Sequence, residues 1–112
     1  MIEKTILDFL SADFNAFMEV PQDPPDTFIV IEKTGSSLDN KIRSTATFAI
    51  QSFAPTLYQA ASLNDQVKNK MLDLLNLKQI VSVTLVSDYN YTDTTKKAYR
   101  YQAIFSLVHY KE

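Results

Sequence analysis

The 112-residue chain has no cysteine, no tryptophan, one glycine and one histidine. Without cysteine it can form neither a disulfide nor a thiolate metal site, and His109 alone cannot supply a multi-histidine site. The single glycine, Gly35, is too few for a glycine-rich loop that would bind nucleotide phosphates through backbone amides. Disulfide scaffolds, thiolate metal centres and phosphate-loop nucleotide chemistry are therefore not expected.

An excess of one charge and long apolar runs are also missing. The 11 Lys and Arg against 13 Asp and Glu lack the strong positive field that non-specific nucleic-acid binding needs. The longest apolar stretches, Phe28 to Ile31 and Ile80 to Val86, are far shorter than the ~20 residues of a membrane-spanning helix. Charged residues interrupt the first 14 positions, so no secretory segment is expected. We expect one soluble domain, residues 1–112, with no membrane contact and no direct nucleic-acid contact.

The stretch from Lys41 to Leu75 organises the predicted fold. Lys41 to Ala54 reads as a strand, which Pro55 turns directly into a helix from about Thr56 to Leu75. One side of the strand is apolar (Ile42, Ala46, Phe48, Ile50) and the other is polar (Arg43, Thr45, Thr47, Gln51). The apolar stripe of the helix comprises Leu57, Ala60, Ala61, Val67, Met71, Leu74 and Leu75. The helix is therefore expected to pack on the apolar side of a sheet whose other side is solvated.

The remaining patterns complete an α+β two-layer sandwich. A shorter helix over about Met1 to Ala12 and a short extended segment within Phe14 to Val20 come first. Two hairpins flank the long helix: Phe28–Lys33 with Lys41–Ala54 across the loop Thr34–Asn40, and Ile80–Tyr89 with Ala98–Tyr110 across Asn90–Lys97. The sequence thus predicts a mostly antiparallel four-stranded sheet, made of two hairpins, on one long helix and a shorter N-terminal helix.

Catalytic and metal sites find little support in the residue pattern. His109 shares the side of Phe105 and Leu107, but it lies near the terminus, where solvent contact is expected, and no partner base is positioned beside it. Glu32, Asp88 and Asp93 do not have the spacing of a calcium-binding loop. We expect no enzyme, no metal and no cofactor.

The second hairpin is rich in tyrosine and carries basic residues. Its members are Tyr89, Tyr91, Tyr99, Tyr101 and Tyr110, with Lys96, Lys97 and Arg100 nearby. Such a group can be a base-stacking platform for single-stranded nucleic acid, a set of aromatic pairs that brace a hairpin, or a protein interface. The polar strand side with Arg43 and Gln51 also has two interpretations. It is a solvated sheet face, or it belongs to a sheet whose exposed strand edges pair with another subunit.

Three stretches of the chain resemble a known family when they are taken together. They are Val20-Pro-Gln-Asp-Pro-Pro-Asp-Thr-Phe-Ile-Val-Ile-Glu-Lys-Thr-Gly-Ser36, Ala49-Ile-Gln-Ser-Phe-Ala54 before the helix, and Tyr99-Arg-Tyr-Gln102. The chain is similar in these segments to the small tail-completion or tail-terminator proteins of long-tailed bacteriophages and prophages. It has Gly35-Ser36 where such proteins often carry Gly-Gly.

The resemblance implies a non-enzymatic subunit of a ring, typically a hexamer, that caps the tail tube and joins it to the head. The implied partners are further copies of the chain, the major tail protein and the head-tail connector protein. The implied location is the tail or neck of the virion, and the bacterial host cytoplasm during assembly. By position, the expected contact residues are Gly35, Ser36, Asn40, Arg43, Tyr89, Tyr91, Asp93, Lys97 and Arg100. The alternative is a small monomeric or dimeric binding module that uses the tyrosine-rich hairpin to hold single-stranded nucleic acid or a regulatory protein.

Overall fold

A computed structural model describes residues 1–96 and 98–111. The elements are α1 (Ile2–Ser11), β1 (Ala16–Phe17), β2 (Phe28–Leu38), β3 (Arg43–Phe53), α2 (Leu57–Leu72), a 3-10 turn (Asp73–Asn76), β4 (Ile80–Asn90) and β5 (Arg100–Tyr110). The predicted α+β class is confirmed. Neither helix is long and apolar enough to cross a bilayer, in the residues that the structure describes.

The sheet has five strands in the order β1-β2-β3-β5-β4, so the prediction of four antiparallel strands was incomplete. The hairpins β2–β3 and β4–β5 are antiparallel, and β3 joins them by pairing antiparallel with β5 along its whole length. The fifth strand, β1, is a two-residue parallel addition in which Ala16 pairs with Ile29. It arises because the segment expected to be extended runs beside β2, where the Ile29 amide donates to the Asn15 carbonyl at 2.8 Å.

Strands β3 and β5 take the middle of the sheet because they carry apolar residues on both sides. In β3, Phe48 and Ile50 are buried on one side and Ala49 on the other, and in β5, Ala103 and Phe105 are buried on one side while Ile104 is half-buried on the other. Strands with two apolar sides suit positions where both sheet faces are covered. In contrast, Glu32 to Leu38 of β2 and Thr84 to Asn90 of β4 are exposed, and these two strands lie toward the edges.

Both helices pack on one face of the sheet, which we call the helix face, and they enclose the main core. Phe48 and Phe105 are fully buried there, together with Ile6 and Leu10 from α1 and Val67 from α2. The Thr56 hydroxyl caps α2 by accepting from the Gln59 amide at 3.2 Å.

The apolar stripe of α2 was predicted only in part. Ala60, Val67, Met71 and Leu74 are buried, as expected, but Leu57 and Leu75 are exposed. Leu63 and Asn64 occupy the buried stripe instead. Leu57 is the first residue of the helix, and the change to a 3-10 turn at Asp73 alters the residue spacing before Leu75.

The opposite sheet face, which we call the open face, carries no helix but is not wholly polar. Phe28, Val30 and Phe53 form a second buried cluster there, with Phe17 packed against it. The rings of Phe28 and Phe53 are stacked with centroids 4.6 Å apart. The solvated side expected from the polar residues of β3 is therefore found only toward the other end, where Arg43 is exposed.

The first hairpin differs from the predicted loop Thr34–Asn40. Strand β2 continues to Leu38 through a register shift between Lys33 and Gly35, and the turn lies at residues 39–42. The turn is built by Asn40, whose side-chain oxygen accepts from the amides of Ile42 (2.7 Å) and Arg43 (2.8 Å). Consequently Ile42, expected on the apolar side of the strand, is exposed in the turn.

His109 is buried rather than solvent-exposed, contrary to the prediction. It lies in β5 between Ser44 of β3 and Ile80 of β4, so pairing on both sides covers it. Its Nδ1 lies 3.0 Å from the Tyr110 carbonyl oxygen.

Candidate interaction surfaces

The residues predicted to contact partners lie in two groups at opposite ends of the sheet. In the β3–β5 register, Arg43 is opposite Tyr110 at one end and Phe53 is opposite Arg100 at the other. Eleven residues of strand separate the two ends by about 33 Å. The first group comprises Asn40 and Arg43 at the first turn, and the second comprises Tyr89, Tyr91, Asp93 and Arg100. Gly35 and Ser36 are the exceptions, because they lie along β2 opposite Thr47 and Ala46, between the two ends. Lys97 lies outside the described residues.

Arg100 is the centre of the second group. Its Nε donates to the Tyr91 carbonyl at 2.7 Å. Its guanidinium lies 4.5 Å from the centroid of the Tyr91 ring and 5.6 Å from that of Phe53. Tyr89 contacts Tyr91 edge to face, with centroids 5.9 Å apart. Arg100 therefore connects the buried aromatic cluster of the open face to the two tyrosines of the second hairpin.

A chain of side-chain hydrogen bonds crosses the open face beside this aromatic group. The Gln102 Nε2 donates to the Tyr89 hydroxyl, and the Gln51 Nε2 donates to the Gln102 Oε1 at 2.9 Å. Gln102 is buried, and a buried amide needs such partners. Gln102 was not predicted to have a structural role. The available signal was a glutamine in a strand whose neighbours, Ala103 and Phe105, are apolar.

The five tyrosines do not form one stacking surface. Tyr89 and Tyr91 are in contact and are 41% and 42% exposed. Tyr101 is on the helix face opposite Ser52, and Tyr110 is at the far end, with the Arg43 guanidinium 5.7 Å from its ring centroid. Tyr89 and Tyr91 are neighbours along one side of the same strand segment, and the contact that crosses the hairpin is that of Arg100 with the Tyr91 ring.

Asp93 forms the turn of the second hairpin. Its Oδ1 accepts from the Thr95 hydroxyl at 2.6 Å, from the Thr95 amide at 3.0 Å and from the Lys96 amide at 3.3 Å. The hydrogen bond from the Thr95 hydroxyl is the largest cause that holds the pKa of Asp93 below its ordinary value of 3.8. Asp93 is thus engaged within its own loop, as Asn40 is in the first hairpin.

Two of the three carboxylates considered for a metal site, Asp88 and Asp93, hold other partners, and Glu32 is exposed on β2. Asp88 accepts from Asn64 Nδ2 at 3.1 Å and from Lys68 Nζ at 3.2 Å. Asp65 also lies 3.1 Å from Lys68 Nζ and is the largest cause that raises the pKa of this lysine. In residues 1–96 and 98–111, no three acidic or histidine side chains form a group that could hold a metal ion.

The first group surrounds a turn that exposes two apolar side chains. Leu38 and Ile42 flank the turn and are both largely exposed. Asp39 stabilises the turn from within, because its Oδ2 accepts from the Thr45 hydroxyl at 2.7 Å. Asn40, Ile42, Arg43 and Tyr110 line a shallow groove beside it. A polar hairpin end with an apolar tip is suited to contact another protein.

Two strand edges are also open in the described part of the chain. No strand lies outside β4, whose residues Thr84 to Asn90 are exposed and include Leu85 and Val86. On the other side of the sheet, β1 covers only Ile29 and Val30 of β2, so no strand covers Glu32 to Leu38. Open edges present unpaired backbone amides and carbonyls to any extended chain.

In comparisons with known proteins, the chain matches no protein-family model and no curated protein sequence.

Proposed function

We propose that the protein is a non-enzymatic assembly subunit that forms a ring, in the manner of a tail terminator protein of a long-tailed bacteriophage or prophage. In this role the ring caps the tail tube and joins it to the head. The observation that carries the proposal is the pair of open strand edges on an elongated body of 44 × 24 × 24 Å. The work of such a protein is done by its surfaces and not by a reactive pocket.

The outer edge of β4 supports self-assembly. Proteins usually protect an edge strand with charged side chains or proline, because an unprotected edge aggregates. The exposed half of β4 has one charged residue, Asp88, and its carboxylate is turned to Asn64 and Lys68 of α2. Leu85 and Val86 are left exposed beside it. Covering this edge with another subunit prevents such aggregation.

The separation of the two hairpin ends supports a joining role. One end presents Leu38 and Ile42 around a polar turn, and the other presents Tyr89 and Tyr91 around Arg100. Because the two ends differ in chemistry and lie at opposite ends of the sheet, one subunit can contact two different partners. A neck ring has this requirement, since the major tail protein lies on one side and the head-tail connector protein on the other.

The proposal is tested by measuring the mass of the purified protein across a wide concentration range, together with negative-stain imaging. We expect the mass to rise with concentration to that of a closed oligomer, and we expect images to show rings of one size. Added to tail tubes made of the major tail protein from the same genome, these rings should bind tube ends. A monomer at every concentration, with no binding to tube ends, would refute the proposal.

The alternative, a monomeric or dimeric binding module, is favoured by one observation, the exposure of Tyr89 and Tyr91 beside a guanidinium. For nucleic acid, however, Arg100 already lies on the Tyr91 ring, where a base would have to stack. Titration of a fluorescent single-stranded oligonucleotide separates the two functions. We expect no saturable binding, and saturable binding by the monomer that is lost in Tyr91→Ala would replace our proposal with the alternative.

A further inference from the structure

We infer that copies of the chain join head to tail through their sheets, with Ser82–Ser87 of β4 from one copy paired antiparallel to Glu32–Ser37 of β2 from the next. This inference rests on the proposed self-assembly and specifies its contact. Three features of the sheet support it: the direction of the two open edges, their level and their side chains.

The directions of the strands already match. Strand β5 is antiparallel to both β3 and β4, and β2 is antiparallel to β3. Strand β2 therefore runs antiparallel to β4. When a second copy in the same orientation continues the sheet, its β2 arrives beside β4 in the antiparallel direction, which is the commoner kind of strand pair.

The two open stretches also lie at the same level along the strands. Thr84 is opposite Ser106, Ser106 is opposite Thr47, and Thr47 is opposite Gly35. The next row on the same face runs from Ser82 through Val108 and Thr45 to Ser37 in the same way. A second copy therefore needs no sliding along the strand to bring Gly35 beside Thr84. The paired segment of six residues is about 20 Å long.

The ends of the paired segment agree with the rest of the sheet. Strand β1 occupies the outer side of β2 at Ile29 and Val30, which is the level of Tyr89 and Asn90 in β4. A bulge lies between Leu85 and Ser87 of β4, just before this level. Bulges bend the strand that carries them, so the end of β4 can diverge where β1 of the neighbouring copy begins.

The side chains of the two edges are suited to each other. Ser82 to Ser87 contains no charge and no proline, and three of its six residues are β-branched, as in segments that readily pair with another strand. The opposing segment has small residues at its centre, and a Cβ at Gly35 would have no atom within 4 Å. Thr84 therefore meets the backbone of Gly35 and Ser82 meets Ser37, while Leu85 is level with Lys33. The ammonium group of Lys33 forms an ion pair with Glu3 of α1, with 3.2 Å between Nζ and Oε2, and is thereby held away from the strand edge.

The molecule that pairs with the open edge of β4 is a second copy of the chain, because both edges belong to one chain and already agree in direction and level. A contact between two different patches, repeated by rotation, closes into a ring when the angle fits. A contact between two copies of β4 would instead be twofold symmetric and would produce a dimer.

Because the chain has no cysteine, engineered single cysteines test the contact directly. Thr84→Cys and Gly35→Cys proteins are prepared separately, mixed in equal amounts and mildly oxidised. We expect the mixed disulfide to form faster than either homodimer. The pair Ser82→Cys and Ser37→Cys should likewise form its mixed disulfide faster than either homodimer. Faster formation of the Thr84→Cys homodimer would indicate the twofold contact and overturn the inference.

A charge on the edge provides a second test. Val86→Lys places a lysine on a side chain that is 60% exposed, and Leu75→Lys places one on the helix layer at a similar 52% exposure. We expect Val86→Lys to raise the concentration for half-assembly at least about tenfold with no change in monomer melting, and Leu75→Lys to leave both unchanged. Normal assembly of Val86→Lys would refute this contact but not the proposed function. Failure of the natural chain to assemble would refute both.

Discussion

Removing the Arg100 side chain tests whether this residue is an internal brace of the second hairpin rather than a free contact residue. In Arg100→Ala the hydrogen bond to the Tyr91 carbonyl is lost, as are the guanidinium contacts with the rings of Tyr91 and Phe53. The backbone bonds between Tyr91 and Arg100 remain, as does the bond from the Arg100 amide to the Thr92 hydroxyl. The hairpin should therefore keep its register while losing stability.

The cost follows from those three interactions. A hydrogen bond from a charged group contributes ~1.5–3 kcal/mol. Each cation–π contact at an exposed site adds about 0.5–1 kcal/mol. Since Arg100 is only half-buried, water partly replaces the lost contacts, and we expect a net loss somewhat below the sum of the three contributions, about 2 kcal/mol. For a chain of 112 residues, this lowers the melting temperature by about 8 °C.

The measurement is thermal and urea unfolding of the monomer, followed by circular dichroism at low protein concentration so that assembly does not contribute. Arg100→Lys retains the charge but loses the planar group and the Nε donor, so it should cost about half as much. Arg43→Ala is the matched control, because Arg43 also lies over a tyrosine, at 5.7 Å from the Tyr110 centroid. No hydrogen bond joins its guanidinium to another described residue, so it should cost only about 0.5 kcal/mol. Equal losses in Arg100→Ala and Arg43→Ala would refute the reasoning.

Two further changes test the turns. Asn40→Ala removes the acceptor for two turn amides and should lower the free energy of unfolding in urea by about 1 kcal/mol. Asn40→Asp keeps that acceptor and should cost less. An unchanged free energy of unfolding in Asn40→Ala would show that the turn does not need this side chain. Asp93 has a lowered pKa in the folded chain, so its contribution to stability is full above its ordinary value of 3.8 and is lost as the pH falls through the folded value. The stability difference between the natural chain and Asp93→Ala should therefore shrink only in acid, and a difference independent of pH would contradict this account.

The sequence predicted the elements better than it predicted their arrangement. Strand β3 was expected within one or two residues of its ends, because Pro55 marks its limit and alternation marks its faces. The pairing of β3 with β5 was not predicted, since it joins residues 47 to 67 positions apart and no local turn signals it. The predicted loop began too early because Gly35 and its small polar neighbours are the stronger local turn signal, whereas the side chain of Asn40 builds the turn.

The candidate surfaces were predicted by position and not by role. Tyr89, Tyr91 and Arg100 do lie together, as the hairpin pattern indicated. Asn40 and Asp93 were expected to contact partners, but their side chains accept hydrogen bonds inside their own turns. Gln102 was missed, because whether a polar side chain in a strand has a partner depends on which strand becomes its neighbour.

The position of β3 between two full-length neighbours has a consequence for amide hydrogen exchange. Its backbone amides are enclosed on both sides, so their slowest exchange reports opening of the entire molecule. Outward-pointing amides of β4 are unprotected in a lone chain and should exchange almost at once. Slower deuterium uptake at Ser82–Ser87 on assembly would therefore report the addition of a strand. In the same experiment, the amides of β3 provide the reference rate for opening of the entire molecule.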